Sequence, residues 1–310
     1  MKYVICYSGG QSSSECALSV AKKYGAENVI LLNHDINPKI EQACTKKLKS
    51  DVAEHLGLEV TYANHKDWSI ATPVSVCVDA GAWKVGNGQI LCTNRLKTEP
   101  FMRWLKENDP NKENVYVYGM DPDEPARIDR RAQIMGSMGY KTMFPMLWDE
   151  SEIVRLSDIG IEHRKGFARD RLMGHAIINP NFEPIHKELN NSDDMVSIYE
   201  VFNHSNCMGC LKAGWQHWYI IYCLFPHIWQ EAKYGEDDIG YAIHKDADGP
   251  VYLEDKEEMF VKMKAAGVVP TEKVPFQRFW ADAKKAVKEY DFEMSQMELF
   301  DEGVCLECTV

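Results

Sequence analysis

Two groups of residues in this chain have the types and spacing to do chemistry. The first is Tyr7-Ser8-Gly9-Gly10-Gln11-Ser12-Ser13-Ser14. A polyanion held by backbone N–H groups needs glycines, because side chains at a tight turn would block its approach, and it gains from the positive end of a following helix. The hydroxyls of Ser8, Ser12 and Ser13 add donors that follow the oxygens of an α-phosphate or pyrophosphate group. The second group is made of cysteines. Cys207-x-x-Cys210 and Cys305-x-x-Cys308 have the spacing that lets two thiolates reach one metal ion. Two such pairs would make a zinc site of four thiolates. Alternatively, Cys92, Cys207 and Cys210 with one further cysteine would hold an iron–sulfur cluster, which takes thiolates from wherever the fold gathers them.

Elements that would position these residues are legible around them. Tyr3–Tyr7 is a short apolar, β-prone run, and a helical pattern with Cys16, Ala17, Val20 and Ala21 follows the glycines and ends before Gly25. Val29–Asn33 predicts a second strand, Ile40–Leu56 a helix, and Leu58–Tyr62 a third strand. This alternation has the rhythm of βαβ units. It predicts an α/β fold with a Rossmann-like parallel sheet and helices on both faces, followed by a mostly helical C-terminal part. Thr72–Gly88 reads as a glycine-dotted loop. Thr93–Glu107 reads as a helix whose true start lies near Glu99, because Pro100 suits the first helical turn. Val115–Tyr118 and Lys141–Phe144 predict a fourth and a fifth strand, and Asp149 is placed to cap a helix running to Ser157.

Past about Ile159 the alternation fades. The expected division is an α/β nucleotide-binding domain over 1–160 and a mostly helical region carrying the cysteine pairs over 161–310. Gly214–Leu224 and Lys273–Glu289 are the clearest late helices. The second is amphipathic, with Phe276, Phe279, Trp280, Ala283 and Val287 on one face. Trp215, His217, Trp218, Tyr219 and Tyr222 read as core more readily than as a stacking surface for bases. The basic stretch His163-Arg164-Lys165 to Arg169-Asp170-Arg171 reads as a solvated loop more readily than as a guide for a polyanion.

Bulk properties narrow the class. With 310 residues, 45% hydrophobic and 26% charged, the chain can bury a large core and has the composition of an ordinary globular protein. No basic leader precedes an apolar stretch, and no segment approaches the roughly 18 apolar residues a membrane span needs, so a cytoplasmic location without a membrane partner is expected. In a reducing compartment the ten cysteines act as thiols, ligands or redox groups rather than as a disulfide framework. A formal net charge of −12 disfavours a protein coated in basic surface for nucleic-acid binding, although a local basic groove survives any overall sign.

The serine–glycine turn resembles the signature of the PP-loop, or adenine nucleotide alpha-hydrolase-like, superfamily. Two further segments make the likeness specific to the phosphoadenosine phosphosulfate (PAPS) reductase family in its broad sense. Cys92-Thr93-Asn94-Arg95-Leu96-Lys97-Thr98-Glu99-Pro100-Phe101 is similar to that family's Cys-Thr-x-x-Leu-Lys-x-x-Pro segment. Gly119-Met120-Asp121-Pro122-Asp123-Glu124-Pro125-Ala126-Arg127 is similar to its loop after the fourth strand.

The resemblance implies an enzyme that binds ATP or a PAPS-type adenine nucleotide with Mg²⁺. Its phosphates would lie on Ser8, Gly9, Gly10, Gln11, Ser12 and Ser13, and Asp35, just past the second strand, is placed either to meet a ribose or Mg²⁺ or to cap a helix or turn. Many relatives carry Lys then Asp where this chain has Gln11 then Ser12. The loop thus lacks a cation, and Arg95, Lys97 and Arg127 are the expected source of one. The preferred expectation is adenylation-linked sulfur transfer to a nucleic acid or small-molecule acceptor, with a [4Fe–4S] cluster or structural Zn²⁺ on Cys92, Cys207, Cys210, Cys305 and Cys308, and with a homodimer as an allowed state. One rival is a sulfonucleotide reductase. Its nucleophilic cysteine sits in a Glu-Cys-Gly-Leu-His-like tail, which Glu307-Cys308 matches in part, so Cys308 would attack sulfur. The other rival is a noncatalytic nucleotide-binding module.

Overall fold

A computed structural model describes residues 1–41, 43–86, 88–161, 201–202, 204 and 207–302. The chain divides into two compact units, Met1–Gly166 with His204–Lys212, and Phe167–Asn203 with Ala213–Val310. The segment bearing Cys207 and Cys210 thus belongs with the first unit.

The first unit is built on five strands: β1 (Tyr3–Cys6), β2 (Val29–Asn33), β3 (Val60–Tyr62), β4 (Val115–Val117) and β5 (Lys141–Met143). They lie in the order β3-β2-β1-β4-β5 and every pairing is parallel. Helices α1 (Gln11–Tyr24) and α2 (Ala43–Leu56) follow β1 and β2. Successive residues of a strand serve opposite faces. Tyr3 and Ile5 pack with Cys16, Val20, Leu48 and Val52, whereas Val4 packs with Phe101, Leu105, Tyr116 and Met135. Both faces are covered, which is why these strands read in sequence as unbroken apolar runs rather than as alternating ones. The expected α/β fold is therefore present, with a largely helical second part.

The chain leaves β1 in one direction through β2 to β3, then returns to the other side of β1 for β4 and β5. Such a reversal leaves a crevice at the carboxyl ends of the two strands where it occurs. Here those strands are β1, which runs into Ser8–Ser13, and β4, which runs into Gly119–Asp121.

Local departures from expectation have local causes. Thr72–Gly88 is not simply loop, because it contains a short helix, α3 (Ser75–Val78). Thr72 and Ser75 exchange hydrogen bonds in the turn that leads into it: Ser75 N–H donates to Thr72 Oγ1 at 2.9 Å and Thr72 N–H to Ser75 Oγ at 2.8 Å. The next helix begins earlier than expected, with α4 (Leu91–Thr93) leading without a break through a π-helical turn, Asn94–Thr98, into α5 (Glu99–Asn108). Pro100 has no N–H to give and its ring would press on a carbonyl one turn back, and the wider π turn before it relieves both problems. Thr98 Oγ1 donates to Thr93 O at 3.3 Å across that turn. After α6 (Pro125–Ser137), Asp149 does cap a turn, accepting from Ser151 N–H at 3.0 Å, but only the 3-10 turn Glu150–Glu152 follows. The chain then extends, because Val154 N–H is taken by Ser19 Oγ at 2.8 Å on α1, and a second 3-10 turn forms at Leu156–Ile159.

The second unit contains α7 (Trp215–Leu224), α8 (Pro226–Ile239), a two-stranded hairpin of β6 (His244–Lys245) and β7 (Pro250–Val251), α9 (Glu254–Ala265) and α10 (Phe276–Glu302). Trp218 and Tyr219 are fully buried, as expected of a core face. Tyr219 OH donates to Val268 O at 2.7 Å, so its polar end is satisfied. On α10, Phe279 and Ala283 are buried but Phe276 is exposed, contrary to the amphipathic pattern, because it opens the helix ahead of the packed turns. The basic stretch His163–Arg171 lies outside the described residues. Among the described residues, no helix is long and apolar enough to cross a membrane.

Candidate functional site

The serine–glycine turn sits at the β1/β4 reversal, and its shape follows from its residues. Gly9 has φ +76°, a left-handed conformation that favours glycine, and Gly10 is the extended N-cap of α1. Ser13 Oγ donates to Gly10 O at 3.0 Å and lies 3.1 Å from Ser8 Oγ, so the turn is organised by its own serines. Gln11 turns away from the crevice and donates to Glu15 Oε1 at 3.0 Å. Glu15 is itself buried and paired with Arg155 at 2.6 Å.

The loop after β4 closes the other wall. A Cβ added at Gly119 would lie 2.5 Å from Ser13 N and 2.6 Å from Ser12 C, so only glycine lets this backbone meet the first turn of α1. Asp121 then accepts from Ser12 Oγ at 3.2 Å. Two of the three motif segments are therefore in direct contact. The third reaches the end of β2, where Phe101 meets the His34 ring edge to face with centroids 6.0 Å apart. Burial and the Lys97 charge both hold His34 below the ordinary histidine pKa.

Beneath the loop lies a charge network that sequence reasoning missed. A Cβ on Gly9 would lie 2.4 Å from Lys49 Cγ. Lys49 Nζ donates to Asn33 Oδ1 at 3.1 Å and to both oxygens of Glu41 at 3.1 Å, and lies 3.6 Å from Asp35. Lys46 pairs with Asp35 and, at 3.0 Å, with Glu41. Asn33 Nδ2 in turn donates to Tyr7 O, tying the network to the end of β1. Two lysines against two carboxylates sum to zero formal charge, so the loop stays electrically neutral, in keeping with Gln11 and Ser12. No sequence rule marks Lys49, which reads in α2 as one of several lysines on a solvated face.

This network bears on the other expected site residues. Asp35 lies past β2 as anticipated, but its carboxylate is engaged by two ammonium groups and by Ile36 N–H at 3.1 Å. That donor set does not fit a divalent cation. Asp121, on the crevice and beside Ser12, is the carboxylate that fits Mg²⁺ better. Arg95 pairs with Glu99 at 2.7 Å and Arg127 with Glu124 at 2.6 Å, all on or beside their own helices and with both guanidinium groups well exposed. Lys97 is exposed and has no ion-pair partner among the described residues.

Cys92, Cys207 and Cys210 all belong to the first unit. The Cys207–Cys210 turn is pinned by Met208 N–H donating to Ile40 O at 2.9 Å, and Gly209, at φ +68°, bends it. Charge on Cys92 acts on both Cys207 and Cys210, and Lys97 acts on all three. Burial raises the pKa of Cys207 to about 11 and that of Cys210 above its ordinary value. Among the described residues, no three cysteine sulfurs lie within 4.8 Å of one another. Cys305 and Cys308 lie outside the described residues.

Comparison of the chain with protein-family models, with curated proteins and with solved structures found no match. The functional reading is carried by the geometry at the sheet edge.

Proposed function

We propose that this chain is a PP-loop enzyme of the PAPS reductase-like kind, which binds ATP or a related adenylyl nucleotide and uses it for adenylation-linked sulfur transfer. The observation that carries the reading is the contact of Gly119 with Ser12 and Ser13 at the β1/β4 reversal, with Asp121 on the Ser12 hydroxyl. That contact leaves a glycine-lined wall with backbone N–H groups at a helix start, the arrangement that suits a polyanion. The nucleotide phosphates would lie on Ser8–Ser13, with Asp121 as the carboxylate for Mg²⁺ and Lys97 as the cation.

In the reaction, an acceptor oxygen attacks the α-phosphorus, a new P–O bond forms, and the bond to the bridging oxygen breaks to release pyrophosphate. A hydrosulfide ion then attacks the acceptor carbon that bears the adenylyl oxygen, the C–S bond forms as that C–O bond breaks, and AMP leaves with the oxygen. A thiolate-held iron–sulfur cluster, when present, supplies a place to handle sulfur. The chain's own residues act by positioning and by offsetting charge, which is most of what nucleotidyl transfer needs.

The test is direct: titration calorimetry with ATP and Mg²⁺, then assay of AMP and pyrophosphate with tRNA, small thiol-accepting bases and sulfide present. Saturable ATP binding that is weakened by Asp121→Asn supports the reading. Binding without any AMP formation would favour a noncatalytic module, and sulfite release from PAPS with thioredoxin would favour the reductase.

A further inference from the structure

We propose that Arg131 and Tyr118 form a phosphoryl-binding pair on the wall of the crevice opposite α1, with the guanidinium and the phenol hydroxyl both meeting a phosphoryl group of the bound nucleotide. The proposal rests on the nucleotide reading for the identity of the ligand; the placement of the two side chains stands on the first unit's own geometry.

The position of Arg131 on its helix is unusual for a charge. Ile128, Arg131 and Met135 follow one another at spacings of three and four residues on α6, so they share one stripe. That stripe faces the sheet, because Met135 is fully buried and Ile128 packs against the core of Val4, Phe101 and Tyr116. Arg131 thus places a guanidinium where the rest of the stripe is apolar. Helical side chains lean towards the N-terminus of their helix, and α6 starts directly after the Asp121 loop. The guanidinium therefore leans towards the crevice. It lies over the Tyr118 ring, with Cζ 5.2 Å from the centroid, and Tyr118 is in turn stacked with Phe144 at 5.9 Å.

Neither polar group is used within the fold. Arg131 is partly buried and has no ion-pair or hydrogen-bond partner among the described residues. One turn earlier, Arg127 is paired with Glu124, and Arg155 is paired with Glu15 and Glu150. In a chain of net charge −12, carboxylates are not scarce, so an unpaired guanidinium at a buried stripe stands out. A guanidinium laid on an aromatic face still has its edge of N–H donors open to an acceptor. Tyr118 is 7% exposed, and its hydroxyl is buried without a hydrogen-bond partner among the described residues. The Cys6 thiol set against it is at most a weak partner. A donor left unused in a buried place costs stability, and an oxyanion would satisfy it. A phosphoryl group has enough acceptor oxygens for the guanidinium edge and the phenol together.

The strand ends put this pair next to the serine–glycine turn. One step beyond the paired Ile5 and Val117, Cys6 ends β1 and Tyr118 follows β4. The next residues are Tyr7-Ser8 on one strand and Gly119 on the other, and Gly119 meets Ser12 and Ser13. A phosphoryl group on the turn is then bounded by backbone N–H groups at the start of α1 and by Arg131 from α6. Gln11 and Ser12 leave the turn without a cation of its own, and Arg131 supplies one from across the crevice.

The experiment is titration calorimetry on the full chain and its Arg131→Gln, Arg131→Lys and Tyr118→Phe variants, with ATP, AMP, adenosine and inorganic pyrophosphate at constant Mg²⁺, together with a urea midpoint for each protein. Arg131→Gln is expected to weaken ATP binding at least about tenfold and to leave adenosine binding unchanged, with part of the loss recovered in Arg131→Lys. Tyr118→Phe is expected to weaken ATP binding about threefold or more without lowering the urea midpoint, because the free protein loses only an unused hydroxyl. A structural role alone would move the midpoint instead. Equal losses for ATP and AMP would place the contact on the α-phosphoryl group, and a loss confined to ATP and pyrophosphate would place it on the β- and γ-phosphoryl groups; both sustain the proposal. ATP affinity within about twofold of wild type in Arg131→Gln would overturn it. So would equal losses for ATP and adenosine, which would make Arg131 a prop for the Tyr118 ring. If Arg131→Gln does not fold, Arg131→Lys decides, since unchanged affinities in both Arg131→Lys and Tyr118→Phe would also overturn it. A wild-type chain that binds pyrophosphate but not ATP, with that binding lost in Arg131→Gln, would remove the nucleotide reading and leave the oxyanion site standing.

Discussion

The backbone nitrogen of Ser13 lies 2.5 Å from where a Cβ on Gly119 would stand, so the end of β4 and the start of α1 meet backbone to backbone. The neighbouring atoms are main chain and cannot swing aside. Gly119→Ala is therefore expected to cost about 1–3 kcal/mol as an overpacked contact, read as a lower urea midpoint. It should also weaken ATP binding at least about tenfold, roughly 1.4 kcal/mol. An unchanged midpoint and affinity would show that the two segments are not held as described.

Lys49 is buried under Gly9 with both Glu41 oxygens on its ammonium. Removing one partner of a buried ion pair costs about 3–5 kcal/mol when the other is left alone. Here Lys46 still reaches Glu41 at 3.0 Å, so Lys49→Met should fall at or below that range. The double variant Lys49→Met with Glu41→Gln should recover part of the loss. A chemical-denaturation cycle over the four proteins measures the coupling, and full additivity would mean that the pair contributes nothing.

The three cations expected to serve the nucleotide should not be equal. Arg95 and Arg127 are exposed and occupied by Glu99 and Glu124, whereas Lys97 acts on His34 and on the cysteines. Lys97→Gln should lower the rate of AMP formation by about tenfold or more, while Arg95→Gln and Arg127→Gln change it by less than about threefold, since exposed pairs contribute about 0–1 kcal/mol. Rates of AMP release for the three variants, taken side by side, decide it.

In the second unit, His244 sits against the Trp215 and Trp218 rings at 4.4 and 5.9 Å, and its Nε2 is buried without a hydrogen-bond partner among the described residues. Burial first, and the neighbouring His217 second, depress its pKa from 6.5 to about 4. The unfolded chain therefore binds this proton before the folded one does. The stabilising effect of the neutral ring is fully present above pH 6.5 and is lost as pH falls from there towards 4. His244→Phe should flatten the slope of stability against pH in that window relative to wild type, by up to about 3 kcal/mol across it. Equal slopes for the two proteins would refute the assignment.

Much of the fold could be read from sequence because it depends on short-range patterns. The apolar runs at 3–7, 29–33 and 115–118 and the helical period after Gln11 each sit within one element, and each element formed where expected, within a residue or two at its ends. The helix around Pro100 was harder, because a π turn is set by how a proline's missing N–H is absorbed rather than by any residue preference. Phe276 failed for a related reason: the periodicity marks a face, but which turn of α10 meets the core depends on what lies opposite.

The serine–glycine turn, its neutrality, and the Cys207-x-x-Cys210 pair were all determined by the sequence, since local backbone conformation and ligand spacing are properties of neighbouring residues. Which distant groups meet was decided only by the tertiary structure. Gly119 owes its role to the first turn of α1, and Lys49 owes its role to Gly9. Each of these is a contact between residues far apart in the chain, brought about by the strand order and by burial on the two faces of one sheet. No local spacing encodes such a contact.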